Sequence, residues 1–514
     1  MNARSKIRRT LLLAALLLGL AATAFSVPQA VQATGGVPLP TVTGPIPVTT
    51  TSYPFLDRMG PPREAAQDAG YVEEEFFVSG TANVYEWDAS GNPFVRTPNA
   101  PYATRIIVRR PANMHKFSGT VWVETLNATL LIDLDRMWQL HYAQILRDGD
   151  AYVGITSKPV TVAALKKFDP VRYASLSMAN PLPLDDPLNC QNPGIWNSLN
   201  TATRETEDGL IWDIMSQVGA VLKSHGSQNP LGVAARTVYG EGWSQSGGYA
   251  LRYLNTFGPL AKLSNGKPVY DGWIAGGFIA PVDINQCSTV PSASDPRNQI
   301  HPNGVPVIGI RTQGDFWSLA YRRADSDAPG DQFRLYELAG PTHDTSTIFQ
   351  NFAPDADIIK AGVTPPNPAV CNYQFLNDFP YEYYLNAAAV NLKLWGLGIA
   401  PPYGDRLQYD LTNPNFVDNT VKDQYGNAVG GIRSPYLDVP IATYHMGFAG
   451  GPFTCLVLGS KTPFTEDLLQ QLYPNHGQYV SKVTRDTIQL VKDRFLLPID
   501  APKIIVQAAQ ADVP

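Results

Sequence analysis

Cysteine is scarce in this chain. Only Cys190, Cys287, Cys371 and Cys455 occur among 514 residues, far apart and with no C-x-x-C pair, so their spacing does not point to a zinc site. Charge is scarce too. Charged residues make up 16% of the chain, the net charge is −6, and no basic block occurs, which argues against a nucleic-acid partner because that needs clustered Lys and Arg. Beyond the amino terminus no apolar run reaches the roughly 18 residues expected of a membrane span. No internal repeat is visible, and nothing calls for a cofactor or a metal. What is abundant is Pro (44) and Gly (42) beside 44% apolar residues, the balance of a loop-rich but ordered chain with a large core.

The first residues predict export. Arg4, Lys6, Arg8 and Arg9 form a positive stretch, Leu11 to Phe25 is apolar, and Val31-Gln32-Ala33 offers a small-x-small cleavage site. Residues 1–33 thus read as a signal peptide and the mature protein as secreted or periplasmic. In an oxidising compartment the four cysteines predict one or two disulfides, with the pairing left open. Residues 34–70 read as an extended N-terminal segment and 71–514 as one catalytic domain, with a cap-like insertion at about 158–200 and a C-terminal extension at about 375–514.

From residue 71 onward strand-like and helix-like stretches alternate. Strands are expected at Glu73 to Ser79, Arg105 to Arg109, Thr120 to Leu126, Ala151 to Thr156, Arg236 to Gly240, Trp273 to Ile279 and Val305 to Arg311. Helices are expected at Arg136 to Asp148, Thr203 to Ser224, Tyr383 to Leu397, Thr465 to Leu472 and Tyr479 to Phe495. Repetition of strand, helix and strand predicts an α/β fold with a mostly parallel sheet covered by helices. Lys158 to Asn200, rich in Pro and Asn, reads as irregular. It leaves the sheet on the side where parallel sheets bind ligands, which makes Tyr173 and Trp196 candidates for a substrate rim.

The most informative segment is Gly242-Trp243-Ser244-Gln245-Ser246, which follows a strand and opens a helix. It is a G-x-S-x-G nucleophile elbow with Ser in the last place. Small residues must flank the nucleophile because the turn is strained. Ser244 is the expected nucleophile, and the shifted frame Ser244-x-Ser246-x-Gly248 leaves Ser246 as the alternative. Downstream, Asp315 follows a core strand and His343 lies on the loop after the next one, giving the chain order Ser, Asp, His. Asp325 and Asp327 also precede His343 and compete with Asp315. The Gln245 backbone N–H is the expected oxyanion donor, with a second from Leu126 or Asn127 on the loop after an earlier strand. Asn127-Ala128-Thr129 is formally also a glycosylation sequon.

The chain resembles a bacterial family of secreted "alpha/beta hydrolase domain" proteins with a G-x-S-Q-S elbow. Besides the elbow, the resemblance rests on Val123-Glu124-Thr125-Leu126-Asn127, Asp169-Pro170-Val171-Arg172-Tyr173-Ala174-Ser175-Leu176 and Tyr270-Asp271-Gly272. It continues through Arg334-Leu335-Tyr336-Glu337-Leu338-Ala339-Gly340 with His343-Asp344, and Gly430-Gly431-Ile432-Arg433-Ser434-Pro435, over about residues 100 to 500. It implies the α/β-hydrolase fold and a serine esterase-like activity, favours Ser244 and His343, and is silent on substrate. Gly314-Asp315 stands where the family has an acidic pair. The expectation is hydrolysis of a small carboxylic ester or lactone through an acyl-enzyme. An amidase or peptidase on the same three residues, and a non-catalytic exported binding protein, are the competing readings. Oligomeric state is open.

Overall fold

The computed structural model describes residues 35–56, 61–194, 202–277, 281–288, 292, 294–315, 321–346, 353–412, 418–447 and 452–514. The expected signal peptide and Trp196 lie outside them. Nine strands form one sheet: β1 (Thr41–Thr43), β2 (Tyr71–Trp87), β3 (Pro93–Pro111), β4 (Thr120–Thr125), β5 (Ala151–Ile155), β6 (Thr237–Trp243), β7 (Gly272–Gly276), β8 (Val307–Thr312) and β9 (Phe333–Leu338). Their order is β1-β2-β3-β5-β4-β6-β7-β8-β9. The four on the β1 side pair antiparallel, while β5 to β9 run parallel. The sheet is therefore mostly parallel, with a long hairpin along one side.

Side-chain alternation explains why helices cover both faces. On β4, Val121 and Val123 join one apolar cluster and Trp122 the other; on β5, Val153 and Tyr152 divide the same way. A strand buried on both sides needs such a continuous apolar run. On the first face lie α3 (Pro159–Phe168), α4 (Ile211–Leu222) and α5 (Gln245–Arg252), after α1 (Pro61–Asp68) and α2 (Arg136–Asp148) earlier in the chain. On the second face α2 packs beside α6 (Glu382–Gly396), which also touches β7 and β8. Further out lie α7 (His476–Lys492) and α8 (Ala501–Gln510), packed on each other. Residues beyond 375 thus supply part of the core, including Leu385, Leu392, Leu490 and Ile504. A small ribbon, β10 (Ala442–His445) with β11 (Ser460–Pro463), completes this side.

Several local expectations are corrected. The segment 34–70 contains β1, paired to β2, and α1. The stretch from Lys158 does not begin as irregular chain: Pro159 sits in the first turn of α3, where its missing N–H costs nothing. Regular α-helix begins at Ile211 rather than Thr203, after a single tight turn at Asp208–Leu210. The four cysteines pair as Cys190–Cys287 and Cys371–Cys455.

Ionic groups are buried as a set at the β2–β3 hairpin. Arg105 bridges Glu75 at 2.7 Å and Asp133 at 3.0 Å, and Arg172 donates to the other Glu75 oxygen at 2.6 Å. Tyr173 joins this set. It is fully buried, donating its hydroxyl to Glu75 at 2.8 Å and accepting the Phe55 N–H. Its ring therefore packs in the core and is no substrate rim.

Candidate active site

The carboxyl ends of β4, β5, β6, β8 and β9 converge on one place. β6 ends in Trp243, and the next residue, Ser244, takes φ 63° and ψ −124° before α5 begins. A side chain at positive φ is strained, and the surroundings hold it there. A Cβ on Gly242 would come 2.3 Å from the Ser246 carbonyl oxygen, so the turn admits only glycine at that point. Ser246 closes the same turn. Its Oγ accepts the Trp243 N–H at 3.0 Å and donates to the Trp243 carbonyl at 2.8 Å.

Ser244 Oγ lies 2.8 Å from His343 Nε2, and His343 Nδ1 lies 2.5 Å from Asp315 Oδ1. The second Asp315 oxygen accepts the Thr312 N–H at 2.7 Å and the Thr312 hydroxyl at 2.9 Å. These bonds fix the carboxylate just past the end of β8. Gly314 lets that loop meet the histidine loop, since a Cβ there would sit 2.7 Å from the His343 backbone nitrogen. Asp325 and Asp327, the competing acids, are engaged elsewhere: Asp325 with Arg406 and the Leu335 N–H, Asp327 with Arg334 and Tyr403. The His343 carbonyl accepts the Trp243 indole N–H and the Tyr381 hydroxyl, both at 3.3 Å. Asp344 forms an ion pair with Arg136 at the start of α2. A narrow pocket opens beside Ser244 and His343, walled by Thr129, Leu130, Leu134, Arg136, Asp344 and Phe453.

The donors expected from Leu126 and Asn127 are otherwise committed. The Leu126 N–H bonds the Ile155 carbonyl and the Asn127 N–H bonds the Leu134 carbonyl, both at 2.9 Å. Leu126 thus continues the pairing with β5 by one residue, and the loop beyond it turns back on itself to satisfy Asn127. Asn127 contributes through its side chain instead, donating Nδ2 to the Trp243 carbonyl at 3.0 Å. The Gln245 N–H heads α5, where a helix has no acceptor of its own to offer.

Below the elbow, Glu124 and Glu241 are register partners on β4 and β6. Glu241 pairs with His141 at 2.7 Å, while Glu124 accepts the Met137 N–H at 2.9 Å and the Tyr152 hydroxyl at 2.6 Å. Burial and the neighbouring Glu241 raise the Glu124 carboxyl well above the usual range. Arg136, Asp344, Thr312 and His141 were not singled out for these contacts in the sequence. The one available signal was adjacency, since Asp344 follows His343 and Thr312 lies three residues before Asp315.

Among solved structures the chain is similar to a thermostable esterase from Pseudomonas putida, at 10% identity and TM-score 0.30, over 67% of this chain and 92% of that one. It is also similar to a lipase/esterase from Lactobacillus plantarum, at 12% identity and TM-score 0.25, over 47% of this chain and 84% of that one. No curated protein matches. The family described as "Alpha/beta hydrolase domain" matches residues 42–506, so the chain belongs to the alpha/beta hydrolase domain family.

Proposed function

We propose that the protein is an exported serine esterase in which Ser244, His343 and Asp315 act as nucleophile, base and acid. The observation that carries this is the relay of two short contacts, 2.8 Å and 2.5 Å, ending on a serine held at positive φ. His343 Nε2 takes the Ser244 proton as Oγ attacks the ester carbonyl. The carbonyl oxygen becomes an anion facing the Gln245 N–H at the positive end of α5. Collapse expels the alcohol, which receives the proton from His343. Water then attacks the acyl-enzyme by the same steps in reverse order of partners, releasing the acid and restoring Ser244. Asp315 holds the imidazole in the tautomer that accepts at Nε2. The narrow pocket favours a small acyl group. Export is supported by the two disulfides, which persist in oxidising compartments.

A fluorophosphonate probe tests the assignment. It is expected to label the wild type on Ser244, and Ser244→Ala is expected to lose both labelling and hydrolysis. Full activity in Ser244→Ala would remove the proposal. Ester and amide substrates assayed in parallel separate an esterase from an amidase, with turnover of esters expected to dominate.

A further inference from the structure

Lys158 stands at the carboxyl end of β5, directly before α3, and is 3% exposed. Its Nζ donates to Gln245 Oε1 at 2.8 Å and lies 3.9 Å from the centre of the Tyr249 ring. Among the described residues no carboxylate lies within ion-pair distance of this ammonium. A buried charge without a close counter-ion is costly to the fold, so its retention calls for a use. Gln245 indicates that use. The same Oε1 also accepts the Ala128 N–H at 3.0 Å, and the residue's own backbone N–H heads α5 beside Ser244. One side chain thus joins the loop after β4, the end of β5 and the nucleophile turn.

We propose that Lys158, in its charged form, is a positioning residue for ester hydrolysis, clamping Gln245 so that its N–H faces the oxyanion and lending that anion a buried positive charge. The inference rests on Ser244 being the nucleophile. The groups facing Lys158 are Gln245 and Tyr249 from α5, Asp208 from the tight turn before α4, and Asp133 from the loop before α2. Asp133 is itself committed to Arg105 and Thr156. Burial pushes the ammonium down to about 7 against the pull of Asp208 and Asp133. Burial and Glu207 push the Asp208 carboxyl up to about 7. The charge is therefore present on the acid side of neutrality and is lost as pH rises. Since the anion exists only during the reaction, kcat falls on the alkaline side while KM moves little.

The test is kcat and KM against pH, with thermal midpoints, for wild type, Lys158→Met, Lys158→Arg and Asp208→Asn. Wild type shows an alkaline fall in kcat. Lys158→Met lacks that fall and has kcat lowered by about tenfold to a hundredfold at neutral pH. Lys158→Arg, whose charge does not titrate, carries activity to higher pH. Asp208→Asn, having lost the anion that supports the ammonium, brings the fall to lower pH. A merely structural lysine would alter thermal midpoints and leave the shape of the profile unchanged. A wild type with no alkaline fall in kcat overturns the proposal, as does a Lys158→Met profile superimposable on it. If Lys158→Met does not fold, an unchanged alkaline fall in Lys158→Arg overturns it. Fluorophosphonate labelling separates the two readings: a wild type unlabelled on Ser244 overturns both, whereas a labelled wild type with either negative result overturns the role of Lys158 alone.

Discussion

At the scale of single residues, the acid of the relay has the sharpest consequence. Asp315→Asn keeps the shape of the side chain but offers His343 Nδ1 the wrong partner, so kcat is expected to fall by about 10³ to 10⁴ with little change in KM. Asp325→Asn and Asp327→Asn lie in other networks and are expected to leave kcat within a few-fold of wild type in the same assay. His343→Gln, which removes the only imidazole within reach of Ser244 among the described residues, is expected to lose ester hydrolysis, and an unchanged rate would contradict a histidine base. Ser246→Ala removes two bonds to Trp243. It should cost stability of about 1 kcal/mol per bond in a denaturant melt while leaving measurable turnover. Which serine faces the histidine was half legible in the sequence. The G-x-S-x-S pattern offered two frames, and small flanking residues do not say which hydroxyl is spent on closing the turn.

At the scale of elements, alternation of apolar residues made the parallel strands legible, because β4 and β5 must serve two buried faces. Three things stayed hidden for physical reasons. The helix α3 begins on a proline, which reads as a breaker unless it is known to occupy the first turn. Tyr173 looked like an exposed aromatic because its partners, Glu75 and Phe55, come from more than 90 residues away. The donors at Leu126 and Asn127 could not be ruled out because their acceptors, Ile155 at the end of β5 and Leu134 in the loop before α2, are fixed by strand pairing and packing that the sequence does not display. Beneath the elbow, the β4–β6 pair brings Glu124 beside Glu241, and burial keeps the Glu124 carboxyl protonated well above the usual range. A carboxyl raised in the folded state favours folding fully below its unfolded value, about 4.5, and that contribution drains as pH rises. Glu124→Gln does not titrate, so its thermal midpoint relative to wild type should improve steadily from acid to alkaline pH. A constant difference between the two proteins would show that Glu124 is charged in the fold. Gly314→Ala, which forces the acid and base loops apart, should lower kcat by about tenfold or more at unchanged substrate binding.

At the scale of the whole molecule, the two disulfides differ in what they hold. Cys190–Cys287 closes a separation of 97 residues and Cys371–Cys455 one of 84. Chain entropy sets an upper bound of about 4.7 kcal/mol for a loop near 100 residues, so replacing either pair by serine should lower the thermal midpoint by several degrees. The second pair lies two residues from Phe453, a wall of the pocket beside Ser244, so its loss should also shift the ranking of ester substrates. The layout of the second apolar face carries a further consequence. Trp122 on β4 and Ile308 on β8 share that cluster with Leu385, Leu490, Ile504 and Val513. The chain emerges from the ribosome with its sheet strands and α2 first and the rest of the cover for that face last. A nascent or truncated chain ending near residue 375 therefore has only α2 to cover that apolar sheet face and should aggregate when expressed alone. For the export proposed above, the same delay would be useful to a chain threaded unfolded through a membrane, because this side of the core closes only when nearly all of the chain has arrived.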